Sequence, residues 1–172
     1  MGETLSVDNA GLVLVGPFLP LFFSRLDLLS EGPDGVPRIE GAAASRAVHL
    51  LQYVVDLRCD RPDVDLALNK VLCGLAPSTP VEPFIIPTEA EMDMCAHMTQ
   101  AILDAWTIIK STSPEGLRET FLQRSGHLAS TTDAGWMLVV RRHTLDLLVD
   151  QIPWNFRLVF QRWMTSPLNI TW

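Results

Sequence analysis

Hydrophobic positions follow three patterns along this chain, and the first is an unbroken apolar run near its start. From Leu12 to Phe23 the run carries no charge. It is too short to cross a bilayer as a helix, which takes about 20 residues, and Pro17 and Pro20 each remove a helical hydrogen bond. The run therefore predicts two buried helical pieces, Asn9 to about Val15 and Pro17 to about Leu28. The alternative is an exposed hydrophobic segment that a partner covers.

Helical periodicity is the second pattern, and it covers most of the chain. Apolar residues spaced three and four apart predict helices over 42–57, 66–72, 88–109 and 114–125. Thr88 and Glu91 have the spacing of a capping box, and Ser113 followed by a proline is typical of a helix start. Prolines spread over 77–87 predict an extended connector, and the polar residues 127–133 predict a loop.

Strand periodicity is the third pattern, and it begins after Gly135. Residues 136–140 form a β-branched and aromatic run. Apolar side chains then alternate with polar ones over 156–161 and again over 168–172, as they do in a strand. These last two runs predict an antiparallel hairpin, and its final strand would expose one edge to a pairing partner.

Together the patterns predict an α+β fold that is predominantly α-helical. Helices are expected over about residues 9–126, and a small antiparallel β-sheet over about 135–172. A chain of 172 residues has the size of one domain and can bury a sizeable core. We therefore predict a single domain over 1–172.

Composition narrows the classes of function. Hydrophobic residues make up 48% of the chain and charged residues 19%, so we expect it to hide much of its surface or to be covered by partners. A net charge of −7 without any Lys/Arg cluster argues against nucleic acid and against an anionic membrane surface. No signal-like segment begins the chain, and Cys59, Cys73 and Cys95 predict reduced thiols in a cytosolic protein.

Candidate chemistry is sparse. Cys95 and His97 form the closest metal-type pair, but two positions apart on a helix they point in different directions. Cys73 with His49 or His97 is the best candidate for a nucleophile, yet Lys70 is its only basic neighbour in the sequence. We therefore predict no metal, no cofactor and no enzymatic activity, with a Cys-dependent hydrolase as a minor alternative.

The C-terminal tail is unusually rich in tryptophan and arginine, the residue types enriched at interface hot spots. Combined with the early apolar run, it predicts a protein interface of eight residues: Phe18, Leu19, Phe22, Trp154, Arg157, Arg162, Trp163 and Trp172. The alternative is that the tryptophans only pack the sheet onto the helices.

The order of several short motifs resembles that of the tape-measure protein family of contractile injection systems, which are phage-tail-like particles. The motifs are NAGLVLV with PFLPLFF (9–23), RAVHLL (46–51), LNKVLCG (68–74), LRETFLQRSG (117–126), Trp136, DLLVDQIPW (146–154) and the closing tryptophans. The likeness runs from Asn9 to Trp172. One position departs from the family, because Arg162 precedes Trp163 where we expect a proline.

The resemblance implies an assembly role, in which a long protein inside the growing inner tube sets its length. An α-helix rises about 1.5 Å per residue, so such a ruler needs hundreds of residues. We therefore expect this chain to be the C-terminal part of a longer protein and to dock at the tube end. The alternative is a helical, chaperone-like module that shelters an apolar partner segment.

The same resemblance implies which partners and which location to expect. The partners would be the inner tube, the baseplate hub or the spike, and the chain would form a homo-oligomer within a ring-symmetric particle. We expect no nucleic acid and no membrane partner. The protein would be cytoplasmic during assembly and would then belong to a particle that is released from the cell.

Overall fold

The computed structural model describes residues 3–131 and 135–172, and it combines helices with a five-stranded sheet. The predicted α+β class is confirmed. Buried apolar side chains from the helices and from one face of the sheet form a common hydrophobic core.

The early apolar run is mostly buried and is divided into two pieces, as predicted. After strand β1 (Thr4–Val7) comes a 3₁₀-helix, Ala10–Phe18, and then helix α1 (Leu19–Arg25). The division falls later than predicted, because Pro17 fits within the 3₁₀-helix. It is Pro20 that takes the first turn of α1, where a missing N–H costs nothing.

The remaining helices lie close to the predicted positions. They are α2 (Ala42–Asp56), α3 (Ala67–Leu72), α4 (Glu89–Ala105) and α5 (Pro114–Leu117), the last continuing as a π-helical turn over Arg118–Leu122. The capping box at Thr88 and Glu91 is confirmed, with both of its hydrogen bonds present. Ser113 accepts a hydrogen bond from the Gly116 N–H and so caps α5.

Short 3₁₀ turns connect these elements at Asp63–Leu66, Thr107–Ile109, Thr144–Leu147 and Val149–Gln151. Helix α4 ends four residues before the predicted end because the backbone leaves the helix at Trp106. The connector over 77–87 forms neither helix nor strand, as predicted.

The sheet gathers strands from both ends of the chain. Its other strands are β4 (Gly126–Thr131), β5 (Gly135–Val140), β6 (Leu158–Val159) and β7 (Leu168–Thr171), in the order β1-β4-β5-β7-β6. The predicted antiparallel hairpin of β6 and β7 is confirmed, although β6 has only two residues. A separate small hairpin pairs β2 (Ser30–Glu31) with β3 (Pro37–Arg38).

Three details of the sheet differ from the sequence prediction. Residues 127–131 form β4 instead of a polar loop, because they pair with both β1 and β5; Asp133, the end of that predicted loop, lies outside the described residues. β5 and β7 run parallel, so the sheet is mixed and not wholly antiparallel. β7 lies between two strands, and the edges of the sheet are β1 and β6.

Two buried polar side chains hold the connector against the helices. His49 on α2 is fully buried, and its Nε2 lies 2.6 Å from the Glu82 carbonyl oxygen. Lys70 is also fully buried, and its ammonium donates to the Asp63 carboxylate and to the Pro77 carbonyl oxygen. The partners of both residues lie outside the helix that carries them, and helical periodicity does not show such contacts.

Candidate docking groove

The eight predicted interface side chains divide evenly between the core and the surface. Four are buried, with exposed fractions of 7% or less: Leu19, Phe22, Trp163 and Trp172. The other four are half-buried or exposed: Phe18, Trp154, Arg157 and Arg162. That these residues contact another protein stays a prediction, and only the second set is reachable in this conformation.

Trp163 fastens the tail of the chain to the helices. Its indole N–H donates to the Leu72 carbonyl oxygen at 2.8 Å, at the end of α3. Its ring meets the ring of Phe23 edge-on, with the centroids 5.3 Å apart. Such aromatic contacts stabilise beyond the area they bury, so Trp163 has a structural role within this chain.

Trp172 is held by a buried ion pair. Arg124 and Asp146 form two hydrogen bonds of 2.8 and 2.6 Å, and their side chains are 2% and 0% exposed. The Trp172 indole N–H donates to the same carboxylate at 2.8 Å. Burial tends to raise the pKa of Asp146, but the hydrogen bonds from Arg124 and from a backbone N–H more than offset this and lower it.

The fold brings Phe18 and Trp154 together. Their ring centroids are 5.5 Å apart in an edge-on arrangement, and the Trp154 indole N–H has no hydrogen-bond partner among the described residues. The Arg157 guanidinium carbon lies over a different ring, 4.6 Å from the centroid of Phe156. Because four of the eight predicted side chains are buried, the eight do not form one exposed surface.

An apolar groove lies between α1 and α4 and has a volume of about 310 Å³. We define the groove by six of the residues that line it: Phe18, Leu21, Arg25, Met94, His97 and Ala101. Leu21 is 57% exposed, so its side chain is accessible to an apolar group that enters the groove.

The walls of the groove follow from helical spacing. Leu21 and Arg25 lie one turn apart on α1, while Met94, His97 and Ala101 lie at intervals of three and four on α4. Of the α4 methionines, Met98 is buried and Met94 is half-buried at the wall of the groove. Methionine adapts its shape to a neighbour, so this wall can repack around an incoming side chain.

The rim of the groove carries an unpaired positive charge. Arg25 is exposed and forms no ion pair with another described residue, and His97 is an exposed basic side chain on the opposite wall. Sequence reasoning did not single out Arg25 and considered His97 only as a partner for cysteine, because nothing in a local pattern shows that α1 and α4 lie side by side.

The three cysteines are poor nucleophiles. Burial raises the pKa of the Cys59 thiol to about 11, and it raises the pKa of Cys73 and of Cys95 further. All three thiols are therefore protonated at neutral pH, and the thiolate is the reactive form.

Among residues 3–131 and 135–172, no three His, Cys, Asp or Glu side chains are placed to share a metal ion. No helix in this part of the chain combines the length and the apolar character that crossing a bilayer requires.

Comparisons with known proteins agree with the motif order. The family model described as contractile injection system tape measure protein matches residues 1–172, which is the whole chain. No curated protein and no solved structure matches the chain.

Proposed function

This chain belongs to the contractile injection system tape measure protein family, and from that premise we propose that it is a docking module that uses the apolar groove. The family has a structural role in a tail-like particle and not an enzymatic one. Protein partners within the particle follow from that role. The proposal concerns which surface they contact and what chemistry they bring.

A docking role suits the folded shape of the chain better than a measuring role. A ruler works through its extended length, and the longest helix among the described residues, α4, has 17 residues, or about 26 Å. The described residues instead pack around a common core. Such a folded part is suited to anchoring the end of a ruler on another component.

The observation that carries the proposal is the groove with Leu21 exposed on one wall and Arg25 unpaired at the rim. An apolar side chain inserted there gains about 1.5–3 kcal/mol from burial, and a carboxylate beside it finds the guanidinium. The occupant we propose is a short apolar segment flanked by Asp or Glu. It would belong to the inner tube, the baseplate hub or the spike.

Binding of purified tube, hub and spike proteins to two matched variants tests the proposal. Leu21→Asp places a charge in the groove, while Ile108→Asp places one on another surface at nearly the same exposure, 55% against 57%. We expect Leu21→Asp to weaken binding to one of the three proteins at least tenfold. Ile108→Asp should bind that protein as the wild type does.

Equal binding by both variants, or equal loss in both, would contradict a role for the groove. Trp163→Ala and Trp172→Ala are unsuitable for this test, because both tryptophans are buried and their removal would disturb the fold. Circular dichroism and unfolding curves of both aspartate variants should match those of the wild type, which separates docking from stability.

Three finer expectations remain proposals. The described residues would act as a single domain, several copies would assemble in the particle, and assembly would take place in the cytoplasm before release. Sedimentation velocity of the purified chain, alone and with the bound partner, would test the second. A sharp single unfolding transition would support the first.

A further inference from the structure

A second concave site, which is polar, lies at the opposite end of the Ala10–Phe18 helix from the groove. Its volume is about 290 Å³, and it forms where four segments of the chain meet. We call it the polar pocket and define it by six of its residues: Asp8, Asn9, Gln52, Asp65, Gln123 and Ser125.

Hydrogen bonds inside the pocket fix the orientation of its buried amides. The Asn9 amide nitrogen donates to Gln52 at 2.9 Å and to Asn69 at 2.7 Å. The Gln52 amide nitrogen donates in turn to Asp56 at 3.0 Å. The Asn9 amide nitrogen has thus given both of its hydrogens to named acceptors, which fixes the orientation of this amide.

The same bonds leave acceptors unpaired. Asn9 is 3% exposed, and its Oδ1 accepts no hydrogen bond from any described residue. The Gln123 amide nitrogen donates to the Val55 carbonyl oxygen at 3.0 Å, so its amide oxygen is the group left for a ligand. A buried polar atom without a partner is costly, so a donor group that reaches Asn9 Oδ1 would be favoured there.

The charges around the pocket favour a cation. The carboxylates of Asp8 and Asp65 are exposed and pair with no cation among the described residues. Asp56 and Arg61, which also line it, pair with each other at 2.8 Å. The lining therefore carries three carboxylates and one guanidinium, a formal balance of −2.

The cation that fits is rich in N–H donors. In the described residues no three carboxylates are placed to share a metal ion. A guanidinium offers five N–H donors in a planar fork and never loses its charge. It matches a pocket whose free groups are two carboxylates and two amide oxygens.

We propose that the polar pocket receives an arginine side chain of a partner protein in the particle. The inference rests on the proposed function, because the arginine belongs to a docking partner. It concerns a surface separate from the groove, and the two are tested by different measurements.

Titration of the full ¹⁵N-labelled chain with N-acetylarginine amide, followed by NMR, tests the pocket directly. We expect saturable shifts of the Gln52 and Gln123 side-chain amides and of the Ser125 backbone amide. N-acetylcitrulline amide, which has the same shape without the charge, should shift them little.

Two charge-matched variants test the role of the carboxylates. Asp8→Asn combined with Asp65→Asn should weaken binding of the arginine probe roughly tenfold. Asp93→Asn combined with Asp104→Asn removes the same charge from exposed positions on α4 and should leave binding unchanged. The inference is overturned if the probe gives no saturable shifts, if citrulline binds as well, or if both double variants behave alike.

The result separates this inference from the proposed function. Leu21→Asp should leave the arginine titration unchanged, because Leu21 lies in the groove. If the arginine probe does not bind and Leu21→Asp loses docking, the arginine site is contradicted and the docking proposal for the groove stands. If the probe binds and Leu21→Asp docks as the wild type does, the arginine site stands and the docking proposal for the groove is contradicted.

Discussion

Removing the Asp146 carboxylate should destabilise the fold more than any change at an exposed carboxylate. Asp146→Ala leaves the guanidinium of Arg124, which is 2% exposed, without its counter-charge. Breaking a buried ion pair from one side costs about 3–5 kcal/mol. The Trp172 indole and a backbone N–H also lose their acceptor, which places the expected cost at the upper end.

This loss is large against the stability of a single domain, about 5–15 kcal/mol in total. For a chain of this length, each kcal/mol lowers the melting temperature by about 2–4 °C. We therefore expect Asp146→Ala to melt about 10–20 °C below the wild type. Urea unfolding at pH 7, followed by tryptophan fluorescence and by far-UV circular dichroism, gives the free energy of unfolding directly.

Asp150 provides the matched control. Its carboxylate is 37% exposed and pairs with Arg142 and Arg157 at the surface, where such pairs are weak. Asp150→Ala should unfold close to the wild type. If Asp146→Ala lost no more stability than Asp150→Ala, the buried pair would not be the anchor that its geometry indicates.

Three further outcomes follow from local geometry. Gly74→Ala should lose about 2–5 kcal/mol of unfolding free energy, because Gly74 has φ +77 and an added Cβ would lie 2.3 Å from the Trp163 carbonyl oxygen; a wild-type urea midpoint would contradict this. Thr88→Ala removes the side chain that caps the Glu91 N–H and should cost about 1 kcal/mol, with hydrogen exchange faster in the first turn of α4 and unchanged in α2. The pKa of Asp146 is lowered in the folded state, so its stabilisation is present above the unfolded pKa of about 3.9 and is lost as pH falls through the folded value. The stability gap between wild type and Asp146→Asn should therefore narrow between pH 5 and pH 3, and a constant gap would show that the carboxylate does not titrate with folding.

The sequence predicted those elements whose signals are local. Thr88 with Glu91 and Ser113 with its following proline lie within one turn of the helix that they start, so their roles can be read without knowing the rest of the fold. The periodicity of α2 is equally local. Each of these features is confirmed.

Sequence reasoning failed where a partner lies far along the chain. β1 has only four residues, and its partner β4 follows more than a hundred residues later. The polar residues of β4 read as a loop because one face of that strand is exposed to solvent. The buried pair of Arg124 and Asp146 was missed for the same reason, since neither residue has a neighbour in sequence that reveals the other.

Because Trp163 and Trp172 are buried, a partner has to bind to another surface of the chain. Trp163 and Trp172 are held by hydrogen bonds inside the chain, so they explain much of the apolar surplus of the composition without any partner. The exposed apolar side chains that remain lie on several surfaces. Within residues 3–131 and 135–172, Leu21 is the exposed apolar side chain that borders both a concave volume and a cation without an ion pair.

The groove and the polar pocket lie at the two ends of one buried helix, so their separation is fixed. The eight residue steps from Asn9 to Pro17 span about 16 Å in a 3₁₀-helix. This helix is held firmly in place, because Gly11 packs so tightly that an added Cβ would lie 1.7 Å from the Phe121 carbonyl oxygen. If one partner fills both sites, Leu21→Asp and the pocket carboxylate variant will weaken binding of the same particle protein. If two partners are involved, each variant will affect a different protein. Affinities of both variants for each purified component decide between these cases. If neither variant changes the affinity for any component, the fixed distance between the two sites plays no part in docking.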